Sequence, residues 1–197
     1  MKTNKIAESS KLILGINDIC RLLSVTKQSA YVSANRYVKL GFLFRLKKDV
    51  YILSSRWNSL SEEEMFEIAN VLQVPSYVSL GSSLSYYNVT TQQQRKYIES
   101  IALKRTVSFV KGGTSFTYSK IKKEFYTGFV RNESFFIALP EKALADVIYL
   151  VSINKYSFDF SSLDFKKVNK EKISEYLLKT NKEATKYWNR LCSTYKI

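Results

Sequence analysis

Residues 17–53 read NDICRLLSVTKQSAYVSANRYVKLGFLFRLKKDVYIL, and the reading of this stretch decides the fold of the N-terminal part. Asp18 is placed to cap a short helix carrying Ile19, Leu22 and Leu23. Ser24 and Val25 make a turn. Thr26 caps a second helix that runs to about Leu40 and is stopped by Gly41. Then Phe42–Leu46 reads as a strand, Lys47-Lys48-Asp49 as a basic turn, and Val50–Leu53 as a second strand. A capped helix sized for the major groove beside a basic hairpin is the plan of a winged helix-turn-helix, which binds duplex DNA.

At about 100° per residue, Ala30, Ala34, Tyr37 and Val38 fall on one side of the second helix and are expected to pack inward. The other side carries Gln28, Ser29, Val32, Asn35, Arg36 and Lys39. Gln and Asn can pair with adenine, Arg with guanine, and Val can touch a thymine methyl. Thr26 and Lys27 stand at the helix start, where free backbone N–H groups favour a phosphate. Arg45, Lys47 and Lys48 add cations from the hairpin. Tyr31 lies at the border of the two faces and is assigned to neither. A solvated polar side is the plainer reading of such a helix by itself. The preceding capped helix and the basic hairpin turn the balance toward DNA.

Charge supports that choice of partner. The 197 residues carry a formal net charge of +14, with 45% hydrophobic and 14% aromatic residues, enough for a packed core. Residues 1–58 hold 11 Lys/Arg against 3 Asp/Glu, residues 59–153 hold 10 against 9, and residues 154–197 hold 10 against 5. Positive charge is therefore concentrated toward the two ends. No apolar run approaches the roughly 18 residues of a membrane span, and the start is not that of a signal peptide. The expectation is a cytoplasmic protein with no membrane partner, whose Cys20 and Cys192 stay reduced.

Histidine is absent, which removes the commonest general base and metal ligand. Asp164-Phe165-Lys166 has the spacing of a nuclease carboxylate–Lys pair, but its Ser- and Lys-rich surroundings fit a helix start better. No phosphate-binding Gly-rich loop is present. The expectation is a protein that is not an enzyme, with no catalytic residue, metal or cofactor.

Beyond residue 60, Ser61 and Glu64 form a capping box, and Pro75 marks the expected boundary between domains at 1–75 and 76–197. A short helix is expected at 82–87. Strands are expected at 97–103, 106–110, 115–118, 126–129 and 134–138, with a hairpin turn at Lys111-Gly112-Gly113-Thr114. Pro140 and Glu141 open a helix buried along Leu144, Val147, Ile148 and Val151, with Lys142 and Asp146 as a surface i, i+4 pair. Two Lys-rich amphipathic helices end the chain. The fold class is α+β: a winged module, then a mixed α/β domain with a helical C-terminus.

Three landmarks carry a family resemblance. They are Lys39–Arg45 with Val50-Tyr51, Tyr77-Val78-Ser79-Leu80-Gly81-Ser82-Ser83-Leu84-Ser85-Tyr86-Tyr87, and Ala138-Leu139-Pro140-Glu141-Lys142-Ala143-Leu144-Ala145-Asp146. In this order and spacing the chain resembles the AbiEi antitoxin family from about residue 10 to residue 190. That resemblance implies a transcriptional regulator from a bacterial toxin–antitoxin operon tied to abortive infection and phage defence. The winged module would repress its own operon through inverted-repeat operator DNA, which would pair protomers. The second domain would neutralise a nucleotidyltransferase-like toxin without a stable complex being required. Lys120, Lys122 and Lys123 are candidates for the antitoxin surface. Two positions depart from the pattern: Lys48-Asp49 stands where Arg-Gly is common, and Gly81 where an acidic residue is often seen. The alternative is a repressor whose second domain senses a ligand or dimerises.

Overall fold

The computed structural model describes residues 2–197, with the side chains of residues 2 and 3 left aside. The chain is α+β and divides into two compact units between Ile68 and Ala69.

In the first unit, α1 (Lys2–Ala7), β1 (Leu14–Gly15), α2 (Ile16–Leu23), α3 (Lys27–Lys39), β2 (Leu43–Lys47) and β3 (Val50–Leu53) precede a 3-10 segment, Ser54–Ser59. The sheet order is β1-β3-β2, all antiparallel. Asp18 is not the cap of α2. Gly15 occupies that position, and the Asp18 carboxylate reaches back three residues to accept the Gly15 N–H at 2.9 Å. Ser24 ends α2 in the left-handed region, and Thr26 caps α3 by accepting the Ser29 N–H at 3.3 Å. Gly41, at φ 70°, turns the chain out of α3 into β2.

Ala30, Ala34 and Tyr37 of α3 are buried with Ile16, Ile19 and Leu23 of α2 and Leu43, Tyr51 and Leu53 of the hairpin. Each fully buried Leu or Ile here contributes about 1.5–3 kcal/mol. The alanines matter for their size, because they let the neighbouring elements approach α3 closely. Strand β1 was not expected. Two residues carry no alternation, and their pairing of Leu14 with Tyr51 is visible only in three dimensions.

Helix α4 (Glu62–Leu72) opens with the expected capping box: Glu64 N–H to Ser61 Oγ at 3.2 Å and Ser61 N–H to Glu64 Oε2 at 2.9 Å. The expected boundary at Pro75 falls a few residues too late. The last turn of α4 belongs to the second unit, where the Ala69 carbonyl accepts from the Tyr118 hydroxyl at 2.6 Å and Asn70 Oδ1 accepts the Phe136 N–H.

The second unit continues with β4 (Ser76–Val78), α5 (Leu80–Tyr86), β5 (Tyr97–Ala102), β6 (Val107–Lys111), β7 (Thr114–Lys120), β8 (Phe129–Asn132), β9 (Phe135–Ala138), α6 (Pro140–Ser152), α7 (Lys170–Leu178) and α8 (Lys182–Tyr195). Its mixed sheet runs β6-β7-β5-β4-β9-β8. The β6–β7 turn has Gly112 at φ 51° and Gly113 at φ 79°, the two positive values that a tight primed hairpin demands. The strand expected at 126–129 lies instead at Phe129–Asn132, after a 3-10 turn at Lys123–Phe125. The short helix begins at Leu80, two residues before the expected Ser82.

Helix α6 is the centre of this unit. It packs on α5, α7 and α8, and every residue from Lys142 to Ile148 is buried. Trp188 of α8 is buried in the same core, with its indole N–H on Ser174 Oγ at 3.0 Å. No helix among the described residues is long and apolar enough to cross a membrane.

Candidate nucleic-acid interface

Thr26, Lys27, Gln28, Ser29, Val32, Asn35, Arg36 and Lys39 are all exposed on α3, as the sequence leads one to expect. Val32, an apolar side chain, stands 67% open to solvent. Arg36 holds its guanidinium 5.2 Å from the Tyr37 ring centroid, which steadies it at the surface. On the hairpin, Arg45 and Lys48 are exposed, whereas Lys47 is half-buried. The tip turns through Asp49 at φ 63°, a left-handed conformation that Asp tolerates better than most residues.

Two side-chain bonds tie α3 to the hairpin, and neither was anticipated. Tyr31 donates its hydroxyl to Asp49 Oδ2 at 3.1 Å. One helical turn later, Asn35 Oδ1 accepts from the Arg45 guanidinium, which also lies 5.5 Å from the ring centroid of Tyr51. Tyr31 thus has a definite place: it holds the tip of the hairpin against the helix. In the first turn of α2, Asp18 Oδ1 lies 2.7 Å from both Lys11 and Arg21. Partial burial would raise the Asp18 carboxyl, but Lys11, the Gly15 N–H and Arg21 together hold it below its usual value.

Lys120, Lys122 and Lys123 are exposed near the end of β7, where the Lys122 ammonium lies 4.0 Å from Glu124. Asp164 accepts the Lys166 N–H at 3.2 Å and so caps a 3-10 turn. No group of three or more residues able to hold a metal occurs among the described residues.

The larger correction concerns Lys142 and Asp146. They are not a surface pair. Both are buried, with Lys142 Nζ 2.5 Å from Asp146 Oδ1. The other Asp146 oxygen accepts from the Tyr77 hydroxyl at 3.0 Å and the Ser79 hydroxyl at 2.9 Å. Two of the sequence landmarks therefore meet in one polar network, joining β4 and its following residue to α6. Burial pushes the Asp146 carboxyl up, while Lys142 and the two hydroxyls pull against it. Burial and the neighbouring carboxylate push the Tyr77 phenol well above its ordinary range, so it remains a donor.

A second buried carboxylate, Glu99, has no cation among its bonded partners. Its Oε2 accepts from the Gly81 N–H at 3.0 Å, Gln94 Nε2 at 2.8 Å and the Tyr156 hydroxyl at 2.9 Å. A Cβ on Gly81 would lie 2.5 Å from Gln94 Nε2 and 2.8 Å from Glu99 Oε2, so any side chain there would have to push the ends of these two side chains aside. Burial raises the Glu99 carboxyl, and its three donors offset only part of that. A raised folded-state value means that the contribution of Glu99 is full in acid and is lost as the pH rises through that value. Glu99→Gln is accordingly expected to gain stability relative to the unaltered chain as the pH rises from about 4 toward 7. Urea unfolding across that range measures it, and a pH-independent difference would show that Glu99 is not perturbed.

No protein-family model matches the chain, and no curated protein is significantly similar to it. Among solved structures, the fold is similar to the crystal structure of the RV2827C protein from Mycobacterium tuberculosis. The TM-score is 0.62 at 10% identity, over 98% of this chain and 75% of that one. At that identity the likeness concerns the fold alone.

Proposed function

We propose that the chain is a DNA-binding repressor that also serves as the antitoxin of a bacterial toxin–antitoxin operon. The observation that carries the DNA reading is the exposed polar face of α3 braced against the hairpin that bears Arg45 and Lys48. In this reading the first unit is a winged helix-turn-helix. Helix α3 enters the major groove of an inverted-repeat operator, and the hairpin tip follows the phosphate backbone. The antitoxin reading rests on the AbiEi resemblance, whose second and third landmarks supply the buried network of Tyr77, Ser79, Lys142 and Asp146. The partner in that reading is a nucleotidyltransferase-like toxin, met in the cytoplasm. The exposed Lys120, Lys122 and Lys123 are the surface offered for neutralisation.

Base reading has a direct test. Arg36→Ala and Gln28→Ala are each expected to cost about 1–3 kcal/mol on the operator and much less on scrambled duplex. Equal losses on both would exclude these two side chains as base readers.

The antitoxin role is tested by growth rescue during expression of a toxin encoded next to this chain. Residues 61–197, which keep the Ser61 cap and all of α4, are expected to rescue without binding the operator. Glu replacements at Lys120, Lys122 and Lys123 are expected to abolish that rescue while the fragment stays folded. A folded fragment that gives no rescue would leave a repressor whose second unit senses a ligand or dimerises.

A further inference from the structure

We infer that Asn35 and Arg45 act as one composite reader that selects guanine, rather than as an Asn that selects adenine. This rests on the DNA-reading role of α3. An Asn free on a recognition helix pairs with adenine by accepting from N6 and donating to N7. Here the amide oxygen of Asn35 already faces the Arg45 guanidinium. A guanidinium only donates, so the orientation of the amide is set by chemistry: oxygen toward Arg45, NH2 outward.

Arg45 is itself held in place. It sits opposite Tyr51 in the β2–β3 pairing and lies over that ring, and Tyr51 is buried. The Tyr31–Asp49 bond, one helical turn away, keeps the hairpin in register with α3. The face turned to a duplex therefore consists of N–H donors: the Asn35 amide and the remaining guanidinium groups. Guanine presents two acceptors in the major groove, O6 and N7. Adenine presents a donor, N6, at the place where a positive fork waits. The pair complements the first base and repels the second.

The test is selection of binding sites by the full-length chain from a duplex pool randomised across the operator, repeated with Asn35→Ala, Arg45→Lys and the double variant. The unaltered chain is expected to require guanine at one position. Each single variant is expected to weaken that requirement about tenfold at that same position, since a good two-bond base contact is worth about that much. The double variant is expected to do no further harm there, because the two side chains act as a unit. Arg45→Lys keeps the charge, so its loss reports the fork and not the phosphate attraction. Adenine at a position that depends on Asn35 and ignores Arg45→Lys would overturn the inference. So would effects of the two variants at different positions. Failure of the unaltered chain to bind any duplex would instead overturn the underlying DNA reading, and is recognised before any variant is made.

Discussion

Asp146→Ala lowers the stability of the second unit by about 3–5 kcal/mol, the cost of removing one partner from a buried ion pair. The change leaves the Lys142 ammonium in the core without its carboxylate, and takes the acceptor from the Tyr77 and Ser79 hydroxyls. A chain of ordinary stability has only about 5–15 kcal/mol to lose, so the loss is a large share of the whole. Trp188 reports on this unit, and Trp57→Phe removes the one other tryptophan. Urea unfolding followed by Trp188 fluorescence measures the change. Pairing Asp146→Leu with Lys142→Met is expected to recover part of it. The remainder is the cost of two hydroxyls left without an acceptor, about 1–3 kcal/mol each. A loss below about 1 kcal/mol for Asp146→Ala would mean that the pair is not closed off from water.

The triple variant Lys27→Ala, Lys39→Ala, Lys48→Ala is expected to weaken binding to every duplex, whatever its sequence. The three ammonium groups flank the polar face of α3 at its two ends and at the hairpin tip, and all three are exposed. Each phosphate contact adds about 0.9 to the slope of log K against log salt concentration. Loss of three contacts therefore flattens the slope by nearly three units, and weakens binding at 0.1 M salt by roughly 10²–10³-fold. Gel shifts at a series of salt concentrations give the slope. An unchanged slope would place these lysines away from the backbone.

Legibility followed distance along the chain. The Thr26 cap, the Gly41 stop, the Ser61–Glu64 box and the Gly112-Gly113 turn each involve residues within a few positions of one another. Their physics is local, and reading them in order recovers them. The exposed face of α3 was legible for the same reason, because helical periodicity places Ala30 and Ala34 opposite Gln28 and Val32. What escaped was the set of bonds between elements. Lys142 and Asp146 have the spacing of a solvated helix pair, and only Tyr77 and Ser79, in a different element, reveal that the site is internal. Asn35 looked like a free base reader because its partner, Arg45, lies on the next strand. Two-residue β1 has no pattern of its own at all.

The network around Asp146 also sets an order of events on the ribosome. Its members in β4 and in α6 are separated by more than sixty residues, and the core around α6 is completed by Trp188 of α8. The second unit cannot close until nearly the whole chain has emerged. The first unit is built from residues up to Ile68. At elongation rates of about 5–20 residues per second the gap is roughly ten seconds. A nascent chain therefore carries its finished N-terminal unit for some time before its C-terminal unit exists, and a prematurely released chain would keep the first and lack the second.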